Sequence, residues 1–165
     1  MRKSLETISL VVLAVMAWMT WQALFGPNHL QERIPTNFGF SGQPNDWGSP
    51  SFLIALPAVA AGIYLLLTIT ARFPKAFNYP VEVTAENRPR LEALTKDLIA
   101  WLKMEMICLF AWVEWTIINA AREGHGAPSL ALLPVFIGAL FGIIAWYFVA
   151  MRRVAHTGPE SKFPG

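Results

Sequence analysis

Three charged side chains fall inside the third apolar run of this 165-residue chain: Lys103, Glu105 and Glu114. An ionised group at mid-bilayer costs about 2.5–3.5 kcal/mol on insertion scales, so such residues face a bundle interior and often mark proton or ion pathways. Glu114 lies deepest, with Asn119 just beyond it. Lys103 sits eleven positions before Glu114. That is about 16 Å along a helix, so the two do not pair directly. Lys103 and Glu105 stand near the end of the run and are expected to reach the interface by snorkelling. Two readings of Glu114 stand side by side. It is a proton, cation or ligand contact, or it is a neutral structural carboxyl. In the second reading it bonds Thr20, Gln22 or Asn119, or lies shallow beside Trp112 and Trp115.

Other chemistry is thinly represented. A transporter ordinarily carries intramembrane polar residues on several spans, and the second and fourth apolar runs carry no charge. No nucleophile–base set or metal set is legible, so neither an enzyme nor a cofactor is expected. Outer-loop His29 and His125, with Asp46 and Glu123 as neighbours, match no metal-binding spacing, so no metal site is expected. The single cysteine, Cys108, lies inside the third run and allows no intrachain disulfide.

These residues are positioned by membrane helices. The chain is 55% hydrophobic and only 15% charged, against about 25% charged in soluble domains. Four runs are long enough to span a bilayer: Leu5–Phe25, Phe52–Ala71, Leu98–Ala121 and Leu130–Met151. The first is read as an uncleaved helix. No small-residue cleavage site follows it, and Trp18 and Trp21 form an interfacial anchor. Of thirteen Lys and Arg residues, ten flank the spans on one side and two on the other, with Lys103 inside a span. The positive-inside rule places both termini in the cytoplasm. The expected fold is therefore all-α: four transmembrane helices in the bacterial cytoplasmic (inner) membrane, residues 1–153, then a flexible tail over 154–165. The net charge of +2 is this topological bias; no basic run points to nucleic acid.

The cytoplasmic segment 72–97 begins extended, because Pro74 and Pro80 bias their predecessors away from helix. Asn87 then caps a helix with Pro89 in its first turn. From Arg88 to Ala121 nothing stops that helix, which overruns the bilayer by some three turns. There Leu91, Leu94, Leu98 and Leu102 form a stripe expected to pack on the chain's own 72–83 segment. In the fourth run, Gly138 and Gly142 permit close helix approach, within the chain or between chains. Pro57 and Pro134 are expected to bend their helices.

The outward-facing segment 26–51 contains "RIPTNFGFSGQPNDWGS". A helical turn is expected from Pro27 to Arg33, and extended chain over Ile34–Phe38. A turn is expected at Gln43–Asp46, where Pro44 fixes φ and the Asx side chains bond local backbone. Phe38 and Trp47 are expected to lie on the helix ends, making an ordered cap. Its candidate recognition residues are Ile34, Pro35, Asn37, Phe38, Gly42, Pro44, Asn45, Asp46, Trp47 and Gly48.

The stretch "ERIPTNFGFSGQPNDWGSP" resembles the signature of an uncharacterised bacterial membrane domain, known as the N-terminal part of SdpI-type immunity proteins. The match falls on Ile34, Pro35, Phe38, Gly42, Pro44, Asn45, Trp47, Gly48 and Ser49. The chain departs at Asn37, where the family often has histidine, and at Pro50, where it often has lysine. The downstream "FNYPVEVTAENRPRL" and the charged third span also resemble longer members. The resemblance implies a multi-pass membrane protein. Its named member protects a cell from a secreted toxic peptide and helps signal its presence; that member has additional spans after the shared domain that this sequence lacks. The sequence thus leaves three function classes: a binding, immunity or signalling module using the cap; an accessory subunit of a membrane complex; and a small proton-linked transporter using Glu114. The expected partners are the lipid bilayer, with a peptide, another membrane protein or a second copy as candidates.

Overall fold

The computed structural model describes residues 1–30, 33–39, 43–123 and 132–156. Four long helices dominate it: α1 (Arg2–Phe25), α2 (Ala55–Thr70), α3 (Arg88–Glu123) and α4 (Leu133–His156). Among the described residues, α1, α4 and the Pro50–Thr70 stretch that contains α2 are each long and apolar enough to cross a membrane. The third helix packs against each of the other three. At 36 residues it is about 54 Å long, nearly twice the thickness of a hydrocarbon core.

The fold departs from the all-α expectation at one place. Strands β1 (Ile34–Phe38) and β2 (Pro44–Gly48) form an antiparallel hairpin. The extended reading of Ile34–Phe38 matches β1. The expected turn at Gln43–Asp46 does not, because Pro44–Gly48 is strand. Pro44 stands at the first strand position, where its missing N–H leaves no gap in the ladder. The reversal lies instead around 39–43, closed by a Gly39 N–H bond to the Gln43 carbonyl at 2.9 Å. Gly48 permits a close cross-strand approach, since a Cβ there would stand 2.7 Å from Thr36 Cγ2. Residues 40–42, including Gly42, lie outside the described residues, as do His125 and the 124–131 connection.

Helix boundaries follow local chemistry. The first helix ends at Gly26, which adopts extended backbone ahead of Pro27. Pro27 and Asn28 form a turn in which the His29 N–H donates to the Gly26 carbonyl at 3.1 Å; residues 31–32 of the expected helical turn lie outside the described residues. Ser49 caps a 3-10 turn, Pro50–Ile54, that runs directly into α2. Pro57 falls in the first turn of α2 and Pro134 in that of α4. Proline's fixed φ suits the first turn of a helix, so neither position stops its helix. Before α3, Asn87 Oδ1 accepts the Thr84 N–H at 2.9 Å and Thr84 Oγ1 accepts the Asn87 N–H at 3.2 Å. The Asn87 side chain thus ties the preceding turn, while its backbone carbonyl accepts the first helical bonds.

Two further expectations are corrected. The fourth helix continues through His156, so the tail begins later than Val154; residues 157–165 lie outside the described residues. Nothing stands within 4 Å of a Cβ built on Gly138 or Gly142, so no helix among the described residues uses that notch. The α3 stripe is also rotated slightly. Leu91, Thr95, Ile99 and Lys103 are buried, while Leu94, Leu98 and Leu102 are half-buried. The short Pro74–Ala76 turn touches α3, and Arg2 Nε pairs with Asp97 Oδ1 at 2.7 Å.

Candidate functional site

The side chains singled out for chemistry separate into two groups along α3, one at its middle and one toward its C-terminal end. At the middle Lys103 does not snorkel; its side chain is only 2% exposed. Its Nζ donates to Glu6 Oε1 at 2.6 Å and to Thr68 Oγ1 at 2.9 Å. It also stands 4.4 Å from the Tyr64 ring centroid. An ammonium has three N–H donors, and here a carboxylate, a hydroxyl and an aromatic face meet it. The acceptors are completed in turn. Tyr64 Oη donates to Glu6 Oε2 at 3.0 Å, and Thr68 Oγ1 donates to the Tyr64 carbonyl at 2.6 Å. The network joins α1, α2 and α3 and leaves no donor of Lys103 over. Glu105, on another face of α3, is also buried rather than interfacial, and neither of its oxygens has a described partner.

Toward the hairpin end, Glu114 is fully buried. Of the three partners its spacing allowed, Thr20 is the one in place: Oγ1 donates to Glu114 Oε1 at 2.5 Å. Glu114 Oε2 has no partner among the described residues. One turn further on, the outward faces of α1 and α3 enclose a groove of about 500 Å³. Trp18, Met19, Pro27, Trp115 and Ile118 supply its apolar walls. Gln22, Asn28, Asn119 and Arg122 supply four polar side chains, and none of these makes a side-chain hydrogen bond or ion pair among the described residues. The groove accordingly offers amide donors and acceptors plus one guanidinium beside aromatic surface. That set suits an amphiphile with a polar or anionic head. Sequence reading missed Gln22, Asn28 and Arg122 as groove residues. The available signal was their i, i+3, i+4 spacing with tryptophans, Trp18 to Gln22 and Trp115 to Asn119 to Arg122.

The hairpin sits beside this groove and is held by its first strand. Ile34 and Pro35 are buried. Ile34 packs with Ala23, Leu53, Ile117 and Ile118, and Met19 borders that cluster, so Met19 and Ile118 serve both hairpin and groove. The second strand is displayed: Asn45, Asp46 and Trp47 are exposed. Trp47 is 39% exposed, and Ile34 and Pro35 are the buried residues of the hairpin; the side chain of Phe38 lies outside what the structure describes. Asp46 Oδ1 accepts the Trp47 N–H at 2.8 Å, and Arg33 donates to the Trp47 carbonyl. Asn37 is exposed on β1. Near the groove mouth, Trp18 and Trp21 stack with centroids 5.2 Å apart.

Residues 9–61 are similar to a family described as a domain of unknown function (DUF1648). The chain is also 25% identical over 163 residues to an uncharacterized protein of Archaeoglobus fulgidus, covering 90% of this chain and 87% of that protein. No solved structure matches. The matched stretch 9–61 holds most of α1, the hairpin and the start of α2; Asn119 and Arg122, on the far wall of the groove, lie beyond it.

Proposed function

We propose that the chain is a non-enzymatic multi-pass membrane module that binds its partner with the hairpin cap and the neighbouring groove, in the manner of immunity or signalling proteins of the SdpI type. One observation carries the reading. The hairpin is anchored through Ile34 and Pro35 while Asn45, Asp46 and Trp47 remain exposed. Burial of one strand stiffens the display of the other, which lowers the entropy lost on binding. In this reading α1, α2, α3 and α4 all span the cytoplasmic membrane, both termini are inside, and the cap faces outward. The ten-to-two asymmetry of basic residues supports that orientation.

Two experiments test it. In a Cys108→Ser background, an impermeant thiol reagent applied from outside should label a cysteine at position 45 and spare one at position 90; the reverse pattern sinks the topology. For function, a deletion strain should become sensitive to a secreted peptide fraction. Wild type should rescue it and an Asn45→Ala/Asp46→Ala variant should not. Equal rescue by both removes the cap from recognition.

A second reading, an accessory subunit of a membrane complex or of a homo-oligomer, draws support from α4. Gly138 and Gly142 face open space beside exposed Val135 and Phe141. Gly138→Leu would then break a co-purified assembly and leave the monomer folded.

A further inference from the structure

We propose that the groove between α1 and α3 is a site for an acidic phospholipid, with the phosphate-bearing headgroup on Arg122, Asn119, Gln22 and Asn28 and one acyl chain along α1. This rests on the reading of the groove as a binding surface and names its occupant.

Three observations converge. First, four hydrogen-bonding side chains line one cleft, yet none of them bonds another described residue. Among the described residues, Arg122 is the only cation of the lining, and no carboxylate contributes to it. A guanidinium with neutral amides is selective for a phosphate monoanion, which accepts from both. Second, Trp18 and Trp115 form walls of the cleft while remaining 58% and 53% exposed. Tryptophans of this kind settle at headgroup depth. Third, Val11, Val15, Trp18 and Gln22 are spaced four, three and four apart, so they share one face of α1. The first three are large, apolar and exposed. From Val11 to Gln22 is about 16 Å of helix, roughly half the thickness of a hydrocarbon core. An acyl chain thus has a continuous apolar track leading away from the polar end of the groove. A free phosphate would use the guanidinium and amides but leave that track unexplained.

The full chain, purified in neutral detergent, would be followed by thermal unfolding with phosphatidylglycerol, with phosphatidylcholine of the same acyl chains, and with inorganic phosphate alone. Phosphatidylglycerol should raise Tm; the other two should not. Arg122→Gln should weaken the phosphatidylglycerol response about tenfold, the equivalent of one charge-assisted hydrogen bond. Arg152→Gln/Arg153→Gln, which removes a basic pair on α4, should leave it intact. Brominated phosphatidylglycerol should quench tryptophan fluorescence more than its phosphatidylcholine counterpart, and Trp18→Phe should reduce that difference. If Arg122→Gln does not fold, Asn119→Ala replaces it, and the wild-type lipid contrast still decides. Equal responses to the two lipids overturn the proposal. So does a Tm rise from inorganic phosphate equal to that from lipid, or a response lost in the α4 variant but kept in Arg122→Gln. A carboxylate-ended apolar peptide that stabilises the protein where phosphatidylglycerol does not also overturns it. Those failures leave the cap-variant rescue result unaffected, so the broader binding reading falls or stands separately.

Discussion

The Lys103 network at the middle of α3 and the groove near its C-terminal end treat polar groups in opposite ways. Around Lys103 every strong donor meets an acceptor, and three helices are joined by one closed network. Toward the hairpin, Glu114 keeps one oxygen without a described partner, and four more polar side chains line a groove without bonding one another. The difference separates polarity that builds the fold from polarity held in reserve. A satisfied buried ion pair resists change because removing one partner strands the other. Polar groups on an open groove cost the fold little, so the fold leaves them free for a ligand.

The sharpest way to break this comparison is Lys103→Met. Removing one partner of a buried pair costs about 3–5 kcal/mol when the other is fully enclosed. Glu6 is 36% exposed on its side chain, so water offsets part of that, and a loss of about 3 kcal/mol is expected. A Glu6→Gln/Lys103→Met cycle in detergent unfolding should show strong coupling between the two sites. A Lys103→Met protein as stable as wild type would mean that the network does not hold the helices together.

The apolar runs made the helices legible. The extended start of the cap was legible too, because Pro35 excludes helix at Ile34. Lys103 was misplaced because a lysine near a helix end ordinarily snorkels, and its partners Glu6 and Thr68 are 97 and 35 residues away. The usable signal was charge pairing: Glu6 is the one charge in the first apolar run and Lys103 the one cation in the third. β2 was hidden because Pro44, Asn45 and Asp46 are turn residues by local preference. Pairing with β1 overrides that preference, and no local pattern reports it. Gly138 and Gly142 advertised a helix contact that the chain does not supply.

Thr20→Val tests the intermediate case. Glu114 Oε1 would lose its donor, leaving a buried carboxyl with no described partner, and a loss of about 1–2 kcal/mol is expected. Replacing both partners, as Thr20→Val/Glu114→Leu, should restore most of that stability, since two apolar groups of similar shape leave nothing unsatisfied. Glu114→Gln should fold, because its amide oxygen still accepts from Thr20. A double variant worse than either single one would show that Glu114 has a further role at this crossing.

Gly48→Ala is expected to act locally. The new Cβ would stand 2.7 Å from the Thr36 side chain. Thr36 Cγ2 is a side-chain atom, but threonine is stiff at χ1, so the strand must shift and a cost of about 1–2 kcal/mol is expected, confined to the hairpin. Amide hydrogen exchange should quicken over 34–38 and 44–48 while α1 and α3 stay protected. Exchange that is fast throughout the hairpin already in wild type would show that no ordered cap exists.

The smallest effect should come from Asn119→Ala. Asn119 lies within α3, where alanine is the better helix former by about 0.5 kcal/mol. Its amide makes no hydrogen bond among the described residues, so none is lost on truncation. The substitution removes a polar group from the groove wall without opening a cavity in the helix crossing. Stability should therefore stay within about 0.5 kcal/mol of wild type, or rise slightly. Lys103→Met, sixteen positions earlier on the same helix, should cost several times more. If Asn119→Ala instead destabilised the protein by more than 1 kcal/mol, the groove would be part of the fold's own bonding, and the contrast between the Lys103 network and the groove would disappear. An unchanged melting curve together with a weakened phosphatidylglycerol response would place Asn119 among the groups that the fold carries for a ligand.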